Sequence, residues 1–223
     1  MKVNNRIVFS NLIWRFAERA GAKGVSLIVS IALARILAPE DYGQVALISV
    51  FLAIFGVFTD SGFGNALIQK KNADENDFTT VFVFNVVCCI LLYGLLYICA
   101  PLIGIFYKDE SLIPIVRVAG MTILFSGLKN VQQAYVSKTL QFKKFFWATL
   151  GGTLFSGIVG IGLAVKGFGT WALVAQNLTN TAIDTMLLWI TVKWRPRGRF
   201  VLEKLKSLFS YGWKLLASAL LDT

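Results

Sequence analysis

Apolar runs about one bilayer long alternate along the chain with short polar breaks. Six can be drawn, at roughly 12–36, 43–67, 79–106, 112–135, 145–165 and 170–192, and a further one begins near 208. Each is close to the roughly 20 residues with which a helix crosses a hydrocarbon core. Polar positions within them do not recur every second residue. VFVFNVVCCILLYGLLYICA, residues 81–100, has no alternation at all, which argues against a membrane β-barrel and for helices.

The breaks have the chemistry of helix ends. APEDYG at 38–43 puts Pro39 and an acidic pair after the first run, and KGFGT at 166–170 makes a glycine-rich hairpin. NADEND at 72–77 is a polar turn whose carboxylates, Asp74, Glu75 and Asp77, are expected to be solvated. Pro101 is expected to end or kink the third run near one end. The fifth run carries Gly152, Ser156, Gly160 and Ala164 at four-residue spacing, a small-residue stripe that admits a second helix at close range. The connector at 193–207, KWRPRGRFVLEKLKS, is basic and partly amphipathic and is expected to lie along an anionic membrane surface.

Composition agrees with the pattern. The chain is 56% hydrophobic and only 15% charged, with mean hydropathy +0.67, which leaves too little polar surface for a soluble domain of 223 residues. The net charge of +10 would suggest a nucleic-acid partner in a soluble protein. Here the cations fall mostly between the apolar runs, so they report orientation and no nucleic acid is expected. With the N-terminus placed in the cytoplasm, thirteen Lys and Arg collect in inside segments and three (Arg35, Lys108 and Lys166) outside. There is no His, and Cys88, Cys89 and Cys99 all lie in one apolar run, so neither a metal site nor a disulfide framework is expected. No cleavable signal segment is visible in residues 1–23.

The first run is charged at its front. If its helix began at Gly24 it would rise only about 21 Å to Leu37, short of the roughly 30 Å core. The turns before Gly24 must then approach the membrane with Arg15, Glu18, Arg19 and Lys23 on them. Arg15, Arg19 and Lys23 recur every four residues and form one stripe. A charge at bilayer centre costs at least about 2.5–3.5 kcal/mol, so the stripe faces a wet, protein-lined cavity or snorkels from an interfacial lead-in. Both readings stay open at this point. Other polar groups at membrane depth are Asp60, Arg117, Lys129, Gln133, Asn177 and Asp184, some of which are expected to pair across helices. Arg117 is the strongest further candidate for the wall of a cationic cavity.

Five stretches in register carry a family resemblance: ARILAPEDYGQVALISVF, TDSGFGNALIQKK, QQAYVSKTLQFKK, GFGTWALVAQNL and KWRPRGRF. They resemble the polysaccharide-transporter branch of the MOP superfamily, the Wzx-type flippases of O-antigen and capsule export. The resemblance implies an all-α integral membrane protein, with six transmembrane helices (1–192) forming one lobe, a basic cytoplasmic linker (193–207), and the start of a seventh helix (208–223). Family members carry two such lobes, so this stretch is expected to match an N-terminal half. It further implies transport of undecaprenyl-pyrophosphate-linked oligosaccharide across the bacterial cytoplasmic membrane by alternating access. Arg15, Arg19, Lys23 and Arg117 would bind the substrate, with Glu18, Asp60, Lys129, Gln133, Asn177 and Asp184 in support. No cofactor and no enzymatic activity are implied. The partners would be the carrier lipid, membrane lipids and the polymerase machinery. Competing readings are a multidrug or cation extruder of the same superfamily, for which acidic cavity residues would be expected, and a non-transporting membrane fragment.

Overall fold

The computed structural model describes residues 5–60 and 63–206, without the side chains of 5–13, 15, 17–19 and 60. These residues form seven helices: α1 (Asn5–Ile36), α2 (Pro39–Asp60), α3 (Phe63–Gln69), α4 (Glu75–Tyr107), α5 (Leu112–Lys138), α6 (Phe142–Val165) and α7 (Thr170–Thr191). Every apolar run falls on a helix, the second on α2 together with α3. The beginning of a further helix expected at 208–223 lies outside the described residues.

Of the six expected crossings, length and composition alone support four among the described residues. Four stretches are long and apolar enough to cross a membrane: Pro39–Gln69, Glu75–Tyr107, Leu112–Lys138 and Phe142–Val165. Helices α1 and α7 form where expected but fall short on polarity. The first carries Arg15, Glu18, Arg19 and Lys23, and the second Gln176, Asn177, Asn180 and Asp184. Pro101 does not end its helix, since α4 continues to Tyr107 and closes on a left-handed Lys108.

Packing runs in the order α1, α6, α7, α5, α4, with α2 laid against α5 and α7, and α3 against α5. Three apolar clusters hold it. One joins α1, α6 and α7 through Val29, Leu33, Ala164 and Ala172. Another joins α2, α4 and α5 through Ile48, Leu96, Ile103 and Val116. The third gathers α3, the start of α4, the end of α5 and the connector around Trp194, with Leu67, Phe78, Val131 and Val136. Because lipid tails are as apolar as leucine, apolar burial alone drives little of this association, and close backbone approach and hydrogen bonds must contribute.

The α6 stripe supplies the close approach. Gly152, Ser156, Gly160 and Ala164 are all buried, and Gly152 and Gly160 lie against Asn180 and Gln176 of α7. A Cβ on Gly152 would meet the Asn180 backbone oxygen at 3.0 Å and its Oδ1 at 2.9 Å. On α6's other side Gly157 admits Val29 of α1. The outward α6 face is apolar, with Leu154, Phe155, Ile158 and Val165 exposed.

Gly152→Ala is therefore expected to destabilise the detergent-solubilised protein by about 1–3 kcal/mol through overpacking. Gly162→Ala, whose Cβ would meet nothing within 4 Å, should be neutral or slightly stabilising. Thermal unfolding of the two variants side by side checks this, and equal midpoints would remove the close-approach role of the stripe.

Candidate functional site

Polar groups of several elements converge on one length of α5, residues 125–138. Lys129 pairs with Asp184 of α7 at 3.0 Å, both largely buried. Asn130 donates to the Thr59 carbonyl of α2 at 3.2 Å, and Asn85 of α4 donates to the Gly127 carbonyl at 3.2 Å. Two α7 groups reach α5 carbonyls: the Thr185 hydroxyl donates to Phe125 at 3.2 Å, and the Trp189 indole to Leu128 at 3.1 Å. Gln132, fully buried, donates to the Trp194 carbonyl of the connector at 3.2 Å. Lys138 donates to the carbonyls of Leu67, at 2.8 Å, and Lys70. Neither Asp184 Oδ1 nor Gln132 Oε1 has a hydrogen-bond partner.

The residues expected to form a cationic cavity are placed as follows. The side chains of Arg15, Glu18 and Arg19, and that of Asp60, lie outside the described residues. Lys23 is exposed on α1. Arg117 stacks over the Tyr97 ring of α4, 4.2 Å from its centroid, and its Nε is buried without a hydrogen-bond partner. Helix α1 packs chiefly on α6, so Lys23 and Arg117 are not brought into contact. Lys129 and Asp184 do meet. Asn177 is exposed on α7 and borders a cavity of about 40 Å³ between α2, α5 and α7, and Gln133 is half-buried. Among the described residues no ion pair involves Lys23 or Arg117, whereas Lys129 is neutralised by Asp184. Lys23 and Arg117 thus carry positive charge without a carboxylate partner among the described residues, chemistry that attracts phosphate oxygens.

The two ends of the bundle are closed by polar groups that sequence reading missed or misjudged. At one end the α1–α2, α4–α5 and α6–α7 turns meet. The Thr170 hydroxyl bonds Gln44 Oε1 at 2.6 Å and Asp41 Oδ1 at 3.0 Å, and the Gln44 amide donates to Asp109 at 2.9 Å. Gly169 sits at φ +53° with its Cα against Asp41, where a Cβ would fall 2.7 Å from a carboxylate oxygen. Hydrogen bonds from Ser111, and then Gln44, hold the Asp109 carboxyl below its ordinary value of 3.8, against an opposing desolvation.

At the other end the acidic turn proves to be a clamp: Asp74 and Glu75 are exposed, as expected, but Asp77 is buried, and all three carboxylates are bonded. Asp77 is 1% exposed and pairs with Lys70 at 2.8 Å. Asp74 caps α4 by accepting from the Asp77 N–H, and it pairs with Lys204 of the connector. Glu75 accepts from the Trp194 indole at 3.2 Å and the Arg197 N–H at 3.3 Å. Asn76, Thr79 and Thr80 accept the N–H groups of Arg199, Gly198 and Val201. A Cβ on Gly198 would fall within 3 Å of three atoms of α4, so the connector passes only as glycine. These bonds tie the connector to the α4 N-terminus. The signal for this lay in NADEND, but its partners stand some 120 residues away.

Helices of this length and apolarity, cross-linked by polar groups, define a multi-pass membrane protein. The profile of a family described as "Polysaccharide biosynthesis protein" matches residues 32–223, and the chain belongs to that family. It is 30% identical to the teichuronic acid biosynthesis protein TuaB of Bacillus subtilis over 74% of its length and 35% of the relative's. It is 23% identical to the succinoglycan biosynthesis transport protein ExoT of Rhizobium meliloti, over 97% of the chain and 44% of the relative. Identity to the lipopolysaccharide biosynthesis protein WzxC of Escherichia coli is 24%, over 89% and 41%. The chain thus spans less than half the length of these relatives. No solved structure matches it. The Wzx-type resemblance read from the five motifs accords with these relatives.

Two outcomes follow. Asp184→Ala, which strands Lys129, should cost about 3 kcal/mol, and a Lys129→Met/Asp184→Leu double substitution should recover most of it. A chemical-unfolding cycle on the four proteins measures this, and additive single effects would mean the pair is uncoupled. The second concerns the clamp. The Lys204 bond, then the Asp77 N–H, lower the Asp74 carboxyl from 3.8 to about 2. A depressed carboxyl stabilises the fold above its unfolded value, and that contribution fades as pH falls through 3.8 towards 2. Lys204 is raised above 10.5, chiefly by the same bond, so its contribution is complete below 10.5 and fades above it. Amide exchange at Arg197, Gly198 and Arg199, corrected for intrinsic rates, should stay protected from about pH 4 to 10 and weaken only outside. Protection lost near pH 6 would show that another group controls the clamp.

Proposed function

We propose that this chain forms one six-helix lobe of a flippase carrying a polyprenyl-pyrophosphate-linked oligosaccharide across the bacterial cytoplasmic membrane. Membership of the polysaccharide biosynthesis family across residues 32–223, beside a relative named as a transport protein, is the observation that carries this reading. The charge inventory supports it. Lys129 is spent on Asp184, while Lys23 and Arg117 have no described carboxylate, and Arg15 and Arg19 continue the Lys23 stripe in the sequence. A pyrophosphate brings at least two negative charges and several acceptor oxygens. Lysine and arginine recognise such a group, and they would repel a cationic drug.

In this reading α1 and α7 cross the membrane as well, their polar residues turned to a wet interior in place of lipid. Asn177, exposed beside the small α2–α5–α7 cavity, is placed to hydrogen-bond sugar hydroxyls. The N-terminus lies in the cytoplasm, a side favoured by the cations of the 70–71, 138–144 and 193–206 segments. The clamp between connector and α4 keeps the lobe one body while it rocks against a second lobe, which the longer relatives have length to supply.

The test uses the full-length protein in a strain deleted for its gene. Deletion should leave undecaprenyl-linked oligosaccharide accumulated and surface polymer lost, and re-expression should reverse both. Arg19→Ala with Lys23→Ala should lower surface polymer roughly tenfold or more at equal membrane abundance, the order of lost charge-assisted contacts. Arg19→Lys should restore most of it. Normal carrier lipid in the deletion strain would sink the flippase reading. Undiminished polymer in the double variant would sink the cationic cavity alone.

A further inference from the structure

A cavity lies at the connector end, between the start of α6, α1 and the end of α7. It holds about 610 Å³, is open to the outside, and is lined by Trp14, Gln141, Phe142, Lys143, Lys144 and Trp147, with Leu140 and Thr191 at its edge. The Lys143 ammonium sits over the Trp14 ring, 5.4 Å from its centroid. Phe146 packs edge-on against both Trp14 and Trp147 and so fixes the two indoles in place. Lys193 lies near enough for its charge to act on Lys144. Among the described residues no carboxylate lines this cavity, and no ion pair involves Lys143, Lys144 or Lys193. No acidic residue occupies the first turn of α6 either.

Three neighbouring cations with no counter-charge among the described residues call for an anion, and the surroundings say which kind. Trp147, 56% exposed, belongs to the outward face of α6, which continues through Leu154, Phe155, Ile158 and Val165. That face is wholly apolar and is lipid-facing in a membrane protein. The cavity opens where this apolar stripe gives way to lysine, so its mouth lies at the depth where tail meets headgroup. Tryptophan is the residue most at home at that depth, with an apolar ring and one donor.

We propose that this cavity is a binding site for an anionic glycerophospholipid. The phosphodiester oxygens accept from the Lys143 and Lys144 ammoniums, Lys193 completes the positive field, and Trp14 and Trp147 flank the glycerol backbone. One acyl chain then lies along Phe155 and Ile158. Such a lipid joins α1 to α6 and α7, and so steadies the helix that carries the basic stripe. The site rests on the membrane reading of the chain and not on export, so its test leaves the flippase proposal untouched.

The full chain, purified in mild detergent and placed in lipid nanodiscs, is titrated with phosphatidylglycerol bearing brominated acyl chains while tryptophan emission is followed. Bromine quenches only indoles in contact with the chain. Brominated phosphatidylglycerol should quench saturably, and brominated phosphatidylcholine should need about tenfold more lipid for the same effect. Lys143→Gln/Lys144→Gln should remove that preference, the loss expected of two interfacial lysines. Trp147→Phe should remove most of the saturable amplitude. Neither lysine is ion-paired among the described residues, so unfolding midpoints should be unchanged, and Lys143→Gln alone should give an intermediate preference. Equal quenching by both lipids, or a preference that survives the double substitution, would overturn the site. Competition by a polyprenyl pyrophosphate at equal concentration would also overturn it, by assigning the cavity to the carried lipid.

Discussion

A helix bundle in lipid loses several kcal/mol for each polar group left unpaired, and in this chain that constraint falls on α5. Between Phe125 and Lys138 it bonds α2, α3, α4, α7 and the connector, each through a side chain on one helix and a backbone carbonyl or charge on the other. Seven such links at about 0.6 kcal/mol each give roughly 4 kcal/mol, a large part of the 5–15 kcal/mol that keeps a typical domain folded. They also fix rotation. A helix packed by leucines alone can turn about its axis at little cost, but one bonded through Asn85, Asn130, Gln132 and Lys129 cannot. The apolar clusters fill the space that these bonds define.

The two ends follow the same rule with exposed chemistry. Where Asp41, Gln44, Asp109 and Thr170 meet, the APEDYG and GFGT motifs become one structure. Gly169 is required there because Asp41 occupies the place of its Cβ. At the other end the NADEND turn receives the connector, and Gly198 is required for the same steric reason. Motifs that looked like separate helix-end patterns are therefore the two halves of contacts. That accounts for their staying in register over more than a hundred residues.

Helix positions were legible in the sequence because apolar runs of bilayer length admit little else. The number of crossings was not, because the charges of α1 and the amides of α7 lower the apolar signal in those two helices. Pairings were legible as types and not as partners. Lys129 and Asp184 could be expected to find counter-charges, but nothing in the order of residues joins positions 55 apart. The acidic turn was misread in part, for a related reason. Three carboxylates in a short polar loop look solvated until Lys70, Trp194 and Lys204 arrive from elsewhere in the chain. The small-residue stripe of α6 was read correctly, since spacing alone determines which face can be approached.

Charge is then distributed in this lobe by a division of labour. Its carboxylates are largely committed: Asp184 to Lys129, Asp77 to Lys70, Asp74 and Glu75 to the connector, Asp41 and Asp109 to the opposite turns. Its cations outnumber them, 22 to 12 over the chain, so the surplus must meet anions that the protein does not contain. Two kinds are at hand in a membrane. Cations at the connector end, among them Lys143, Lys144 and Lys193, would meet the headgroups of the bilayer itself in the proposed lipid site. The proposed cavity residues, the α1 stripe and Arg117, would lie deeper, where holding an unpaired charge is costly. A carried lipid with a pyrophosphate head, entering from the side, is the kind of anion that would meet them there.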